Sequence, residues 1–261
     1  MPDGTSKRYT APALEKGLDI IELLAHARTP MTMTEIGARI GRSKSQIFRN
    51  LRILEERGYI ARADNDDRFA LTNKLFEMGM RSPPAANLVE VAHPVMAEAA
   101  WALDQAVHLV VASRGQMVVV GRIESPGEIG FAVPIGHRRL LPEGASGRVL
   151  LAFQPAHVQE QWLQIVRASM PDSALDEAAL RRRLKLIAAR GYERSKSARV
   201  LGVTEIAFPI SAPSGNAMAA LMTPYIMRLD HANDLDAAIT IMRRAAARIG
   251  ESVAVPLGRS R

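Results

Sequence analysis

The chain has 261 residues, 48% of them hydrophobic and 23% charged, and it contains no cysteine. That length suits two cores rather than one. The missing cysteines exclude disulfides, thiolate metal sites and a cysteine nucleophile. Lys and Arg number 34 against 27 Asp and Glu, a net charge of +7 that suits a polyanionic partner without naming one. The N-terminus has no apolar core behind a basic start, and no apolar run approaches the roughly 20 residues that span a bilayer. The expectation is therefore a cytoplasmic chain with no membrane partner.

In chain order, Leu14, Leu18, Ile21 and Leu24 recur at helical spacing up to about Ala27, which predicts a first helix ended near Pro30. Thr32 and Glu35 then make a T-x-x-E capping box for a short helix through Ile40, and Gly41 supplies a tight turn. Ser43 and Gln46 form a second box, S-x-x-Q, at the head of a helix running to about Arg57, with Gly58 where a left-handed residue is needed. Ile36, Ile40, Ile47, Leu51 and Leu54 would face a core. Two strands follow, GYIARA and RFALT, around the polar turn Asp64-Asn65-Asp66-Asp67.

Two capped helices around a glycine turn, followed by a hairpin, predict a winged helix-turn-helix. Between Arg39 and Arg52 lie five bases and no acid. Arg42, Ser43, Lys44, Ser45, Gln46 and Arg49 offer donors and acceptors to phosphates and base edges near a helix N-terminus, with Arg68 at the hairpin edge. Gln46 and Arg49 are the candidates for base readout; Lys44, Ser45 and Arg68 are candidates for positioning the backbone. A basic face on an amphipathic helix is also what a solvated helix looks like, and winged helices serve as protein-interaction modules too. The order of elements favours DNA.

These segments resemble the IclR family of bacterial transcriptional regulators. ALEKGLDIIELL, MTEIGARIGRSKSQIFRNLRILEERGYI and RFALTNKLFEMG match its N-terminal domain in order and spacing. The family's Gly-x-x-Lys-Ser-x-x-x-Arg is met by Gly41, Lys44, Ser45 and Arg49. The resemblance implies an α+β protein: a winged helix-turn-helix over 10–72, a helical linker over 73–94, and a GAF-like mixed α/β domain for effector binding and oligomerisation over 95–255.

Beyond the first domain, Ser82-Pro83-Pro84 marks a boundary. A helix from Leu88 to Leu103 carries Pro94, expected as a kink or as a break between two helices. AVHLVVASRGQMVVVGRIES reads as two strands joined at Arg114-Gly115, and IGFAVPIG as a third strand. ASGRVLLAF, VQEQWLQIV and DEAALRRRLKLIAARGYE are helical, the last stopped by Gly191. TEIAFPIS and NAMAALMTPYI are late strands around the turn Pro213-Ser214-Gly215-Asn216, and LDAAITIMRRAAARIGESV closes the chain as a helix. GRIESPG, ASGRVLLAF and RGYERSKSARVLGVTEIAFPIS carry the resemblance to the IclR effector-binding domain.

The small residues Ala145, Ser146 and Gly147 open a helix, where they either admit a ligand to the backbone or merely cap. The resemblance implies an effector pocket bordered by Ala145 and Ser146, with further positions at Ser195, Glu205 and Met222. Family members that sense small acids tend to have a short acidic residue, a cysteine and a serine at those three positions. Serine, glutamate and methionine make a different pocket, so a small keto-acid is not carried over. Glu205 suits a hydroxyl or a cation, or else it faces solvent.

The six histidines are scattered, with no metal spacing, and G-x-S-x-G, G-x-x-x-x-G-K-[ST] and G-x-G-x-x-G are missing. No catalytic residue, metal or cofactor is expected, although spatially assembled triads leave no trace in sequence. The reading is a regulator of double-stranded operator DNA, tuned by a small organic effector and assembled as a homodimer or homotetramer. Its rival is a constitutive DNA-binding protein whose C-terminal domain only mediates assembly.

Overall fold

The computed structural model describes residues 11–27, 29–63, 67–80, 83–128, 130–169, 175–211, 215–227 and 234–254. The chain divides into two compact units, Met1–Pro83 and Pro84–Arg261.

In the first unit α1 (Pro12–His26) opens on a proline, whose missing N–H costs nothing in a first helical turn. β1 (Met31–Thr32), α2 (Met33–Arg39), α3 (Lys44–Glu56), β2 (Ile60–Arg62), β3 (Arg68–Leu71) and α4 (Lys74–Met80) follow. Ile20, Leu24, Ile36, Ile47, Leu51, Ile60 and Phe69 form the core. Leu14 and Leu18, expected on the core face of α1, are 62% and 48% exposed, and the helix is buried at Ile20 and Leu24 instead. Periodicity gives a helix its apolar stripe but not the length of that stripe its neighbours cover. The antiparallel sheet has the order β1-β3-β2, with Met31 opposite Phe69 and Ala61 opposite Ala70. β1 is too short to leave a pattern in sequence. The hairpin turn expected at Asp64-Asn65-Asp66-Asp67 lies outside the described residues except for Asp67.

The second unit starts on α5 (Pro83–Leu103), one helix that begins on the two prolines and runs through Pro94. Pro94 thus lies within a helix rather than between two. Leu88 and Ala92 belong to the core of this unit, so the segment 73–94 expected as a linker is shared: α4 lies in the first unit, and α5 is structural in the second. The remaining elements are β4 (Val107–Ser113), β5 (Gln116–Ile123), β6 (Arg138–Leu140), α6 (Ala145–Ala152), α7 (Ala156–Ser169), α8 (Glu177–Arg190), β7 (Glu193–Lys196), β8 (Val203–Ser211), β9 (Ala217–Ile226) and α9 (Leu235–Ala254). A short 3₁₀ turn, Leu141–Glu143, precedes α6.

The six strands form one antiparallel sheet in the order β6-β5-β4-β9-β8-β7. Its alternation sorts the side chains. Leu109, Ile206, Phe208 and Leu221 pack with α5 and α9, whereas Val110, Val119, Ala207 and Met222 pack with α6 and α8. Arg114 and Gly115 join β4 to β5 with φ of 50° and 74°, the paired left-handed geometry of a tight hairpin. Of the late turn expected at Pro213-Ser214-Gly215-Asn216, Pro213 and Ser214 lie outside the described residues, and Gly215 has a left-handed φ of 83°.

IGFAVPIG, expected as a strand, is not one over its described residues 130–136. Pro134 has no N–H to give a ladder, and the chain returns to β5 only where Gly136 N–H donates to the Val119 carbonyl at 2.8 Å. The edge strand is β6, just after it.

Candidate DNA interface and effector pocket

The first candidate site is the helix pair of the N-terminal unit. The first expected capping box is built from both sides, and the second shows its Gln46 half. Glu35 N–H donates to Thr32 Oγ1 (3.3 Å) and Thr32 N–H to the Glu35 carboxylate (2.7 Å), while Ser43 N–H donates to Gln46 Oε1 (3.0 Å). The Thr32 backbone N–H, and then the Thr32 hydroxyl, both donating to the Glu35 carboxylate, hold it below its usual range. Gly41 has φ 65° in the turn. Gly37 does work that the sequence reading missed: a Cβ there would lie 2.6 Å from the Arg42 carbonyl oxygen, so only glycine lets the turn close onto α2.

With Ile47, Leu51 and Leu54 buried, the opposite side of α3 and its entry present Arg42, Ser43, Lys44, Ser45, Gln46 and Arg49, all exposed. Arg42, Lys44 and Arg49 form no ion pair among the described residues, whereas Arg52 is held by Glu56 at 2.9 Å. Arg68, expected to position the DNA backbone, has partners within the chain. Its guanidinium donates to the Pro30 carbonyl (3.1 Å) and to Glu35 (3.2 Å), so it braces the capping box of α2 from β3. Cross-strand pairing with Thr32 aims it there.

The second site is a cavity of 330 Å³ on the α6 side of the large sheet. Met117, Val119, Val133, Met222 and Pro224 give it apolar walls; Arg139, His137, Arg199, Ser197 and Glu205 are its polar groups. Glu205 does not face solvent. It is 6% exposed, and its carboxylate accepts from Ala145 N–H at the start of α6 (2.9 Å) and from Ser197 Oγ–H (3.2 Å), with an Arg139 nitrogen at 3.6 Å. Burial, then Arg139 and Arg199, lowers the His137 pKa, so its imidazole is neutral near pH 7.

Of the expected effector positions, Glu205 and Met222 line this cavity. Ala145 and Ser146 are buried and are not among its lining residues; Ala145 meets the lining residue Glu205 through its N–H. Ser195 sits opposite Glu205 in the β7–β8 register, but its hydroxyl accepts from Arg148 (2.9 Å) in another cluster, where Arg148, Arg183 and Arg190 surround the buried carboxylate of Glu193. Ser197, two residues on, is the serine at the pocket. Gly147 serves packing: a Cβ there would lie 2.2 Å from the Leu141 carbonyl oxygen. The polar residues missed in sequence, His137, Arg139, Ser197 and Arg199, lie in loops and short edge strands that carry no periodic pattern.

Residues 13–64 match the model of the IclR helix-turn-helix domain, and residues 83–251 match that of the bacterial transcriptional regulator IclR C-terminal domain. The chain belongs to the IclR family. An IclR-family chain is a DNA-binding transcriptional regulator with a helix-turn-helix domain and an effector-binding domain, and this is one. It is 28% identical over 208 residues, 79% of each chain, to the HTH-type transcriptional regulator KdgR of Escherichia coli (strain K12). It is also 28% identical over 211 residues to the regulator BhcR of Paracoccus denitrificans (strain Pd 1222), spanning 80% of this chain and 75% of that one. Among solved structures, an IclR homolog from Microbacterium hydrocarbonoxydans, complexed with 4-hydroxybenzoate, superposes with a TM-score of 0.76 at 25% identity, covering 92% of this chain and 98% of the other. A regulator from Alicyclobacillus acidocaldarius gives 0.72 at 24% identity over 94% and 100%. Among the described residues no helix is long and apolar enough to cross a membrane, and no group of three or more His, Asp and Glu could hold a metal ion.

Proposed function

We propose that this IclR-family regulator reads its operator with the entry of α3 and is switched by a small organic effector in the cavity beside Glu205 and Met222. The observation that carries the first half is the set of exposed cations, Arg42, Lys44 and Arg49, which form no ion pair among the described residues and stand at the entry and N-terminal half of a capped helix. Arg49 reads a base edge. Arg42, Lys44 and the Ser43 and Ser45 hydroxyls fix the backbone. Gln46 keeps its Oε1 on the helix cap and offers only its amide N–H₂ to the groove. Arg68 supports the interface from behind. The DNA-binding head is placed within 10–72, and the effector domain from α5 onward.

One recognition helix reads too few base pairs for genomic specificity, so the working species is a homodimer or homotetramer on paired half-sites, acting in the cytoplasm where the operator is. The protein carries out no chemistry of its own. The effector acts by favouring one arrangement of the heads over another. Support for an effector comes from the mainly apolar cavity with its few polar groups, and from the related protein complexed with 4-hydroxybenzoate.

The test is binding to duplex from upstream of the protein's own gene against unrelated duplex, over a salt series. Selective binding that weakens with salt, and that falls by about 1–3 kcal/mol in Arg49→Ala, is expected. Equal affinity for both duplexes would overturn sequence recognition. Operator binding indifferent to every metabolite tried would favour the constitutive reading, with the C-terminal unit serving assembly alone.

A further inference from the structure

We propose that Phe48 is a specificity-determining residue of α3, and that its ring takes the C5 methyl group of a thymine in the major groove. This rests on reading α3 as the operator-binding helix.

An α-helix turns about 100° per residue, so positions i, i+1, i+4, i+5 and i+8 share one face. On α3 those positions are Lys44, Ser45, Phe48, Arg49 and Arg52, all exposed. Phe48 therefore stands in the middle of the basic stripe, one turn beyond Lys44 and one turn before Arg52. The core of the unit takes Ile47, Leu51 and Leu54 from the same helix and leaves Phe48 out, even from the partly buried residues packed against it. The Phe48 ring is 48% exposed and has no stacking or cation–π contact among the described residues. Single exposed apolar side chains need no partner; what sets this one apart is its place. Ile53 on the same helix is 51% exposed, but it lies about 140° round the axis from Phe48 and off that face.

The chemistry of the ring selects its target. Arg42 and Lys44 tie the helix entry to phosphates, which brings the middle of the stripe to the base edges. A phenyl ring makes no conventional hydrogen bond, so it draws nothing from the amino, carbonyl and ring-nitrogen groups of the bases. The one apolar group on a major-groove edge is the thymine methyl. Covering it removes apolar surface from water on both partners. A protein partner closing over Phe48 would have to desolvate Lys44 and Arg49 beside it, which form no ion pair among the described residues. A duplex surrounds the same ring with the phosphates those cations need. Arg49 thus supplies hydrogen bonds and Phe48 the methyl contact next to them.

The experiment uses the full-length protein and a duplex that it selects from a random-sequence pool. That duplex is synthesised once with thymine and once with deoxyuridine, which keeps every hydrogen-bonding group and lacks only the methyl. Affinities are measured by fluorescence anisotropy at one salt concentration. The wild type is expected to lose about fourfold for each methyl contacted, the worth of one buried methyl-sized group. Replacing thymines one at a time then locates the contact. Phe48→Ala is expected to bind the thymine duplex more weakly and to bind the two duplexes alike. Phe48→Leu, which keeps an apolar side chain, is expected to retain part of the difference. Ile53→Ala, a similar truncation off the stripe, is expected to behave as the wild type. Equal wild-type affinity for the two duplexes overturns the inference. So does a Phe48→Ala protein that keeps the full difference, because another group then reads the methyl. Both outcomes leave the operator reading standing, whereas a pool that yields no preferred sequence overturns the two together.

Discussion

Acid should unfold the C-terminal unit through one histidine. His108 on β4 is fully buried, and its Nε2 accepts from Val133 N–H at 2.9 Å, which puts the ring proton on Nδ1, where it has no partner. Adding the second proton would set two donors against each other at Val133 inside an apolar wall. Burial first, then Arg122 and His137, brings the pKa from 6.5 down to about 4. A depressed histidine pKa means that the unfolded chain binds the proton first, so stability is intact above pH 6.5 and declines as pH falls toward 4. Between pH 7 and 4.5 the loss from this residue is roughly 2.4 kcal/mol, for an unfolded value of 6.5 and a folded value of about 4. The assay is urea unfolding followed by circular dichroism at pH 7, 6, 5 and 4.5, comparing the wild type with His108→Gln, whose amide does not titrate. The variant is expected to start less stable and to lose less between pH 7 and 4.5, by about 2 kcal/mol. His137 has the same sign but is present in both proteins and cancels. The lowered carboxyls of Glu35, Glu98, Glu160 and Glu177 give up their stabilisation only as pH falls through folded values below 4.5, and they cancel likewise. Parallel pH profiles for the two proteins would refute the reasoning.

Other expectations follow from single contacts. Gly147→Ala, a change that in an ordinary helix interior stabilises by up to about 1 kcal/mol, should instead destabilise the C-terminal unit, because the new Cβ meets the Leu141 carbonyl oxygen at 2.2 Å; a raised thermal midpoint would contradict this. Glu193→Ala strands three arginines around an emptied, fully buried position and should cost about 3–5 kcal/mol in chemical denaturation, with Glu193→Gln recovering part of it. Thr32→Ala removes one half of a capping box and should cost about 1 kcal/mol of the N-terminal unit's stability, measured by thermal unfolding of the chain. In a titration of operator DNA, Arg68→Ala should leave the salt slope unchanged while lowering stability, since its guanidinium is turned to Pro30 and Glu35; a slope reduced by about one would restore it to the phosphate contacts.

Local rules carried the N-terminal unit. Capping boxes, turn glycines and 3.6-residue periodicity act within a few residues of one another, so Thr32 with Glu35, Gly41, Ser43 with Gln46, and Gly58 locate α2, its turn and α3 from the sequence. The same rules found most strands and helices of the second unit, and with the family resemblance they pointed to a DNA-binding regulator. What they could not weigh was competition between parts distant in the chain. Arg68 and Glu35 are 33 residues apart, and only the β1–β3 pairing brings the guanidinium onto the capping box of α2. IGFAVPIG has a strand's composition, yet its described residues form no strand and help to wall the pocket. The sequence by itself determined most of the elements, their order and the basic face of α3, because those depend on neighbours along the chain. Only the tertiary structure decided the chemistry of the pocket. The meeting of Ala145 with Glu205, 60 residues on, and the approach of Arg139 to the same carboxylate arise where the sheet and α6 close around a space that no single segment encodes.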